Sequence, residues 1–153
     1  MIESVLIITK EEGFEEFPYY DHLGFPTVGY GRLLGPKDTP LECYTSTVYE
    51  PAEKMWLKCR IEDVQCKLID SSARNAYLAC NEVQKAVMVS MAYQLGVNGL
   101  CKFKKTLAFI AAKQFDSAAL EMGDSNWANQ TPARYERHAD MMQSGKLLEY
   151  YQC

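Results

Sequence analysis

Apolar residues recur at helical spacing from the start of the chain: Ile2, Val5, Leu6 and Ile8, with Glu and Lys between them. This predicts a short helix ending near Gly13, where glycine supplies a left-handed C-cap. Pro18 forbids a continuation, and the pattern then changes period. Phe17, Tyr19, Tyr20, Phe25, Thr27, Val28 and Tyr30 are β-formers interrupted by His22-Leu23-Gly24. That alternation predicts a hairpin, with a third strand through 32–34 before Gly35-Pro36 stops it. Residues 35–46 carry little periodicity and read as a loop.

Thr47-Val48-Tyr49-Glu50 reads as a capping box, with Pro51 tolerated in the first turn. The helix it opens is expected to reach about Asp70, with Met55, Ile61, Val64 and Leu68 on its apolar stripe. From Cys80 onward the period is helical almost throughout. Segments Val83–Leu95 (stopped by Gly96 and Gly99), Lys105–Lys113, Phe115–Met122 and Pro132–Tyr151 follow, the last with Gly145 at a bend or break. The fold class is therefore α+β within one domain. A small β-rich lobe spans 13–50, a connecting helix 51–70, and a larger helical lobe 71–153 plus 1–12. A cleft between two such lobes would suit a chain-like substrate.

Composition narrows the function without naming it. The 153 residues, 48% hydrophobic and 24% charged, exclude a disordered chain. Sixteen basic against twenty acidic residues, net −4, leave no broad cationic footprint for nucleic acid. No apolar stretch approaches the roughly 20 residues a membrane helix needs, and MIESVLIITKEEG lacks a secretory leader's basic start and apolar core. Synthesis and folding in the cytoplasm are expected. Six cysteines, Cys43, Cys59, Cys66, Cys80, Cys101 and Cys153, form no C-x-x-C pair. Cys59 and Cys66, about 10 Å apart along one helix, cannot bridge each other. Free and mostly buried thiols are expected. His22 and His138 stand alone and read as surface residues, and no phosphate loop, nucleophile elbow or zinc motif is present, so neither a cofactor nor a metal is expected.

The chemistry concentrates in one segment, Glu12-Gly13 followed by Asp21, Gly24, Thr27, Gly29 and Gly31. Paired carboxylates across a polar cleft are the equipment of glycoside hydrolysis: one acid protonates the leaving oxygen and another carboxylate handles water or the sugar cation. Glu12 suits the acid, because the negative end of a helix dipole discourages a further anion there. Glu11 is its nearest competitor, and a solvated acidic face formed with Glu15 and Glu16 is the bland alternative. Asp21 could equally cap its own turn, and Thr27 could be present for strand propensity alone.

The order Glu-Gly, seven residues, Asp, two residues, Gly, two residues, Thr-x-Gly-x-Gly resembles the catalytic hairpin of the T-even phage lysozyme family (glycoside hydrolase family 24, phage endolysins). Asn126-Trp127-Ala128-Asn129-Gln130-Thr131-Pro132-x-Arg134 is similar to that family's Trp-x-Asn-Gln-Thr-Pro-x-Arg segment. Tyr93-Gln94-Leu95-Gly96 with Gly99 and Phe103 resembles its cleft-lining turn, and Ala52-Glu53-Lys54-Met55-Trp56 the start of its inter-lobe helix. Arg32 departs from the family's usual His, and residues 35–47 are shorter than in the T-even relatives.

The resemblance implies a muramidase that works by inversion, with Glu12 as general acid and Asp21 and Thr27 holding a water. It also implies an orienting role for Arg134. Gln94 and Asn129 would meet glycan groups or cap helices, Gly31, Arg32 and Phe103 would line the site, and Trp127 would belong to the core. The implied partner is the glycan strand of peptidoglycan, bound by a monomer without nucleic acid or membrane insertion. Host lysis is the implied setting, in which a holin would release the enzyme from the host cytoplasm to the periplasm and cell wall. A virion-associated wall-penetration lysozyme and a catalytically idle glycan-binding module are the alternatives.

Overall fold

The computed structural model describes residues 1–45 and 47–152; Ser46, in the loop expected over 35–46, and Cys153 lie outside the described residues. The chain forms two compact units, one of residues 8–60 and one of residues 1–7 with 61 onward.

The smaller unit begins in α1 (Ile2–Glu12), whose end coincides with the expected C-cap, Gly13 at φ +68°. Strands β1 (Glu15–Tyr20), β2 (Pro26–Gly29) and β3 (Arg32–Leu33) form an antiparallel sheet in the order β1-β2-β3. Tyr19 faces Thr27, which in turn faces Leu33, and Val28 faces Arg32. The β1–β2 register is irregular between Glu15 and Tyr19. Pro18 lies in that stretch of an edge strand, where a missing N–H costs least. The third strand ends one residue earlier than expected, although the Leu34 amide still donates to Pro26 at 2.8 Å. The following loop contains one short 3₁₀ turn, Leu41–Cys43.

Helix α2 (Glu50–Ile69) starts later than the expected capping box. Its first bonds run from the Ala52 and Glu53 amides to Tyr49 O, so Thr47 stands two residues ahead of the cap. Pro51 sets this start, because a residue without an N–H belongs in the first turn. Glu50, expected to fold back on that cap, instead accepts from the Tyr30 hydroxyl at 2.6 Å and pairs with Lys54. The apolar stripe also differs by one residue. Leu57, Ile61, Val64 and Leu68 are buried at spacings of four, three and four, whereas Met55 is exposed.

The larger unit is helical: α3 (Arg74–Ala79), α4 (Glu82–Leu95), α5 (Val97–Leu100), α6 (Lys104–Ala111), α7 (Phe115–Gly123), α8 (Asn126–Gln130) and α9 (Pro132–Ser144), then a 3₁₀ turn at Glu149–Tyr151. Helices α3, α5 and α8 are too short to leave a periodic trace, and Gly99 lies inside α5 rather than ending a helix. Gly145 stops α9 outright, at φ +66°. Asn81 caps α4 in a reciprocal box with Gln84, donates to Gly145 O at 3.0 Å, and Gln84 donates to Met142 O at 2.8 Å. One capping box therefore serves two helix ends. Met88, Met91, Met122, Met141 and Met142 dominate the core with Val87, Leu100 and Ile110.

Two expectations fail here. His138 is fully buried, with Nε2 2.8 Å from Ser90 Oγ, because its position on α9 falls on the same face as Met141 and Met142. The described cysteines are free, but Cys43, Cys59 and Cys66 are exposed and Cys80 alone is buried, with Cys101 between. Cys59 and Cys66 fall off the Leu57–Leu68 stripe of α2 and so share its outer surface.

Candidate active site

Glu12, Asp21, Thr27, Gly31 and Arg32 all belong to the smaller unit. Asp21 sits where β1 ends. Its Oδ1 accepts from the Leu23 amide at 2.9 Å and the Phe25 amide at 2.8 Å, while its own amide donates to Phe25 O at 2.9 Å. The turn with positive-φ Gly24 thus grips one carboxylate oxygen. Both sequence readings of Asp21 are compatible with this, since a turn that holds one oxygen also aims the other.

Thr27 lies on the central strand and is 4% exposed. Its hydroxyl donates to Phe25 O at 3.0 Å. That commits the single hydrogen of the hydroxyl and leaves the oxygen to accept from something else. The backbone of Phe25 therefore joins Asp21 to Thr27, its N–H on one and its carbonyl on the other.

Tyr19, directly across from Thr27, was not singled out by sequence. Burial raises its phenol pKa first, and the carboxylates of Glu12, Glu15 and Asp21 raise it further. Tyr19 thus feels the field of both candidate catalytic carboxylates. Its alternation with Phe17 on a strand facing Thr27 was the available signal, and pairing register was needed to use it.

Glu12 is the last residue of α1. A Cβ on Gly31 would come within 3.3 Å of Glu12 Oε2, so the carboxylate rests against that glycine, which has φ +73°. Arg32, one residue on, makes a two-pronged ion pair with Glu53: Nη2 to Oε1 at 2.6 Å and Nε to Oε2 at 3.2 Å. Arg32 thus brings to this position a guanidinium with a carboxylate partner on α2.

The remaining candidates belong to the larger unit. Arg134 is buried and donates from Nη2 to Ser90 Oγ at 2.9 Å and Ser90 O at 3.3 Å. Trp127 is a core residue, as expected, edge-on to Phe103 and to His138. Gln94 accepts from Trp127 Nε1 at 2.8 Å, and Asn129 is exposed on α8. Phe103, Trp127 and Gln130 line a concavity of about 670 Å³ with Lys102, Lys104 and Lys105 also in its wall. Among the described residues no group of His, Cys, Asp and Glu could hold a metal ion, and no helix is long and apolar enough to cross a membrane.

Comparison with known proteins agrees with this arrangement of elements. A family model described as phage lysozyme matches residues 9–138. The chain is 34% identical to probable T4-type lysozyme 2 of Dictyostelium discoideum, covering 98% of this chain and 99% of that one. It is 27% identical to probable T4-type lysozyme 1 of the same organism, again covering 98% and 99%. It also aligns, at 24% identity, with 28% of the pre-baseplate central spike protein Gp5 of Enterobacteria phage T4, over 94% of this chain. An α+β fold, a matching family model over most of its length and relatives covered end to end place this chain in the phage lysozyme family, as a glycoside hydrolase.

Proposed function

We propose that this lysozyme hydrolyses the β-1,4 bond between N-acetylmuramic acid and N-acetylglucosamine in bacterial peptidoglycan, by inversion. Glu12 donates a proton to the glycosidic oxygen as the bond breaks. A water on the opposite face of the sugar donates one hydrogen to Asp21 and the other to Thr27 Oγ1, and its lone pair attacks the anomeric carbon. Asp21 takes up the proton that water sheds. An inverting enzyme needs the two carboxyl groups roughly 6.5–9.5 Å apart to leave room for that water.

The observation that carries this reading is the shared Phe25 backbone. It occupies Asp21 Oδ1 and the Thr27 hydrogen together, so the acceptors left over are Asp21 Oδ2 and the Thr27 oxygen. Two acceptors are what a nucleophilic water requires of its holders. The lysine-bearing concavity of the larger unit offers cations to the carboxylates of the wall's peptide stems. In this reading the enzyme acts as a monomer in host lysis, passing from host cytoplasm to periplasm through a holin-dependent opening. The match to part of a phage spike protein favours a second setting, wall penetration by a virus particle, with the same chemistry.

Clearing of purified Gram-negative peptidoglycan by wild type and Glu12→Gln tests the acid, with circular dichroism reporting folding. Activity should fall by roughly 10³-fold or more, at the upper part of the range for a general acid. Thr27→Val should lose roughly 10²-fold and Thr27→Ser much less, since serine keeps the accepting oxygen. Full clearing by Glu12→Gln would move the acid elsewhere, with Glu11 next in line. No clearing by folded wild type would favour an idle glycan-binding module.

A further inference from the structure

Glu53 is a carboxylate with 4% exposure in the first turns of α2, a costly position that demands strong partners. Its partners flank the two-residue connection between β2 and β3. Arg32 grips both carboxylate oxygens, and its guanidinium lies 5.6 Å over the Trp56 ring, itself one helical turn from Glu53. On the near side, a Cβ on Gly29 would come within 2.8 Å of the Glu53 carboxyl carbon, so Gly29, at φ +63°, is the residue that lets the strand pass. One turn earlier on α2, Glu50 accepts the Tyr30 hydroxyl at 2.6 Å. Three of the four residues 29–32 are thereby fixed to α2. The fourth, Gly31, is the one against which the Glu12 carboxylate lies.

We propose that Glu53 is a positioning residue for catalysis: by clamping Arg32 and seating Gly29, it fixes the Gly31 backbone that sets where the Glu12 carboxyl group sits. This rests on Glu12 being the general acid. A buried ion pair contributes little net stability compared with apolar replacements, whereas its fork geometry is directional. Its contribution here is placement. Misplacing a catalytic group by about 1 Å can cost up to about 10²-fold in rate. Glutamine at position 53 keeps the side chain's shape and one acceptor but loses the two-pronged grip, so the turn shifts without collapsing. Substrate binding is not touched directly, so the loss should appear in kcat.

The experiment measures kcat and KM on solubilised peptidoglycan for wild type, Glu53→Gln, Arg32→Lys and, in parallel, Glu12→Gln, each checked for folding. Glu53→Gln should lower kcat about tenfold with KM changed less than about twofold, and Arg32→Lys should do the same to a smaller degree. Unchanged kcat in folded Glu53→Gln, or a change in KM alone, would overturn the positioning role. Should Glu53→Gln fail to fold, Arg32→Lys decides by the same split, since lysine keeps the charge and loses the fork. An active Glu12→Gln would instead remove the acid assignment on which the proposal rests, an outcome distinguishable from failure at position 53.

Discussion

Residues 8–60 and residues 61 onward bury different things. In the smaller unit the large buried side chains are few, Ile8, Val28, Tyr30 and Leu57, while Phe17, Leu23 and Leu33 are exposed. Its shape depends on polar anchors: the Asp21 turn, the Tyr30–Glu50 bond and the Arg32–Glu53 pair. The larger unit closes over a methionine-rich core, in which Ser4, Gln84, Ser90, Thr106, Arg134 and His138 are the buried polar side chains among the described residues. Adaptable, unbranched methionines fill irregular gaps between short helices. Directional hydrogen bonds, which methionine cannot make, place a carboxylate to within a fraction of an ångström. The unit with the poorer core carries the candidate chemistry.

The sharpest separation of the two is a core truncation. Met141→Ala, at a fully buried position on α9, should cost about 2–5 kcal/mol of stability in urea unfolding, with kcat per folded molecule unchanged. A parallel fall in kcat would mean that the helical core also tunes the chemistry. In the opposite sense, Gly29→Ala places a methyl group against Glu53 at a left-handed backbone position and should cost about 1–3 kcal/mol. Its kcat should fall while the far-ultraviolet dichroism of the helices persists, and a kcat equal to wild type would break the comparison.

Alkaline pH reports on both units at once. Burial pushes the Cys80 thiol up from 9.0 to about 12, and burial together with the Glu50 hydrogen bond pushes the Tyr30 phenol up from 10.0. A group whose folded pKa is raised contributes stability that is complete below its unfolded pKa and lost as pH rises toward the folded one. The Cys80 contribution should therefore begin to fade near pH 9, by about 1.4 kcal/mol at pH 10, and the Tyr30 contribution above pH 10. Cys80→Ala should flatten the first part of that slope and Tyr30→Phe the second; slopes identical to wild type would sink the assignment. Native thiol titration should find Cys43, Cys59 and Cys66 reactive and Cys80 protected. At the small end, Lys67→Ala removes an exposed i,i+4 pair with Asp63 and should cost about 0.3 kcal/mol, leaving activity intact.

The parts of the fold legible in sequence are those with a long period or a mandatory glycine. Helix α1 and its Gly13 cap, the hairpin and α4 follow from such signals. Helices α3 and α8, six and five residues long, have too few turns to show a period, and neighbouring helices hold them in place. The capping-box spacing at Thr47 is overridden by Pro51, and the box that the structure makes is Asn81 with Gln84. Met55 and His138 show the same limit from the burial side: an apolar type does not ensure burial near a helix start, and a polar type does not prevent it on a face shared with Met141 and Met142. The carboxylates at 12 and 21 and the hydroxyl at 27 stood out by type and spacing. Tyr19 and Glu53 did not, because a strand aromatic and a helical glutamate are ordinary until pairing places them.

The sequence by itself determined the α+β class, the hairpin with its left-handed glycines, the family resemblance and the identity of the candidate acid, base and hydroxyl. These depend on local sterics and on residue type, which act over a few neighbouring positions. Only the tertiary structure decided that the Phe25 backbone ties Asp21 to Thr27, that Glu12 lies on Gly31, and that Arg32 finds its counter-charge at Glu53, twenty-one residues away. A buried charge takes whichever partner the chain's path brings within reach, and that path is a property of the whole fold.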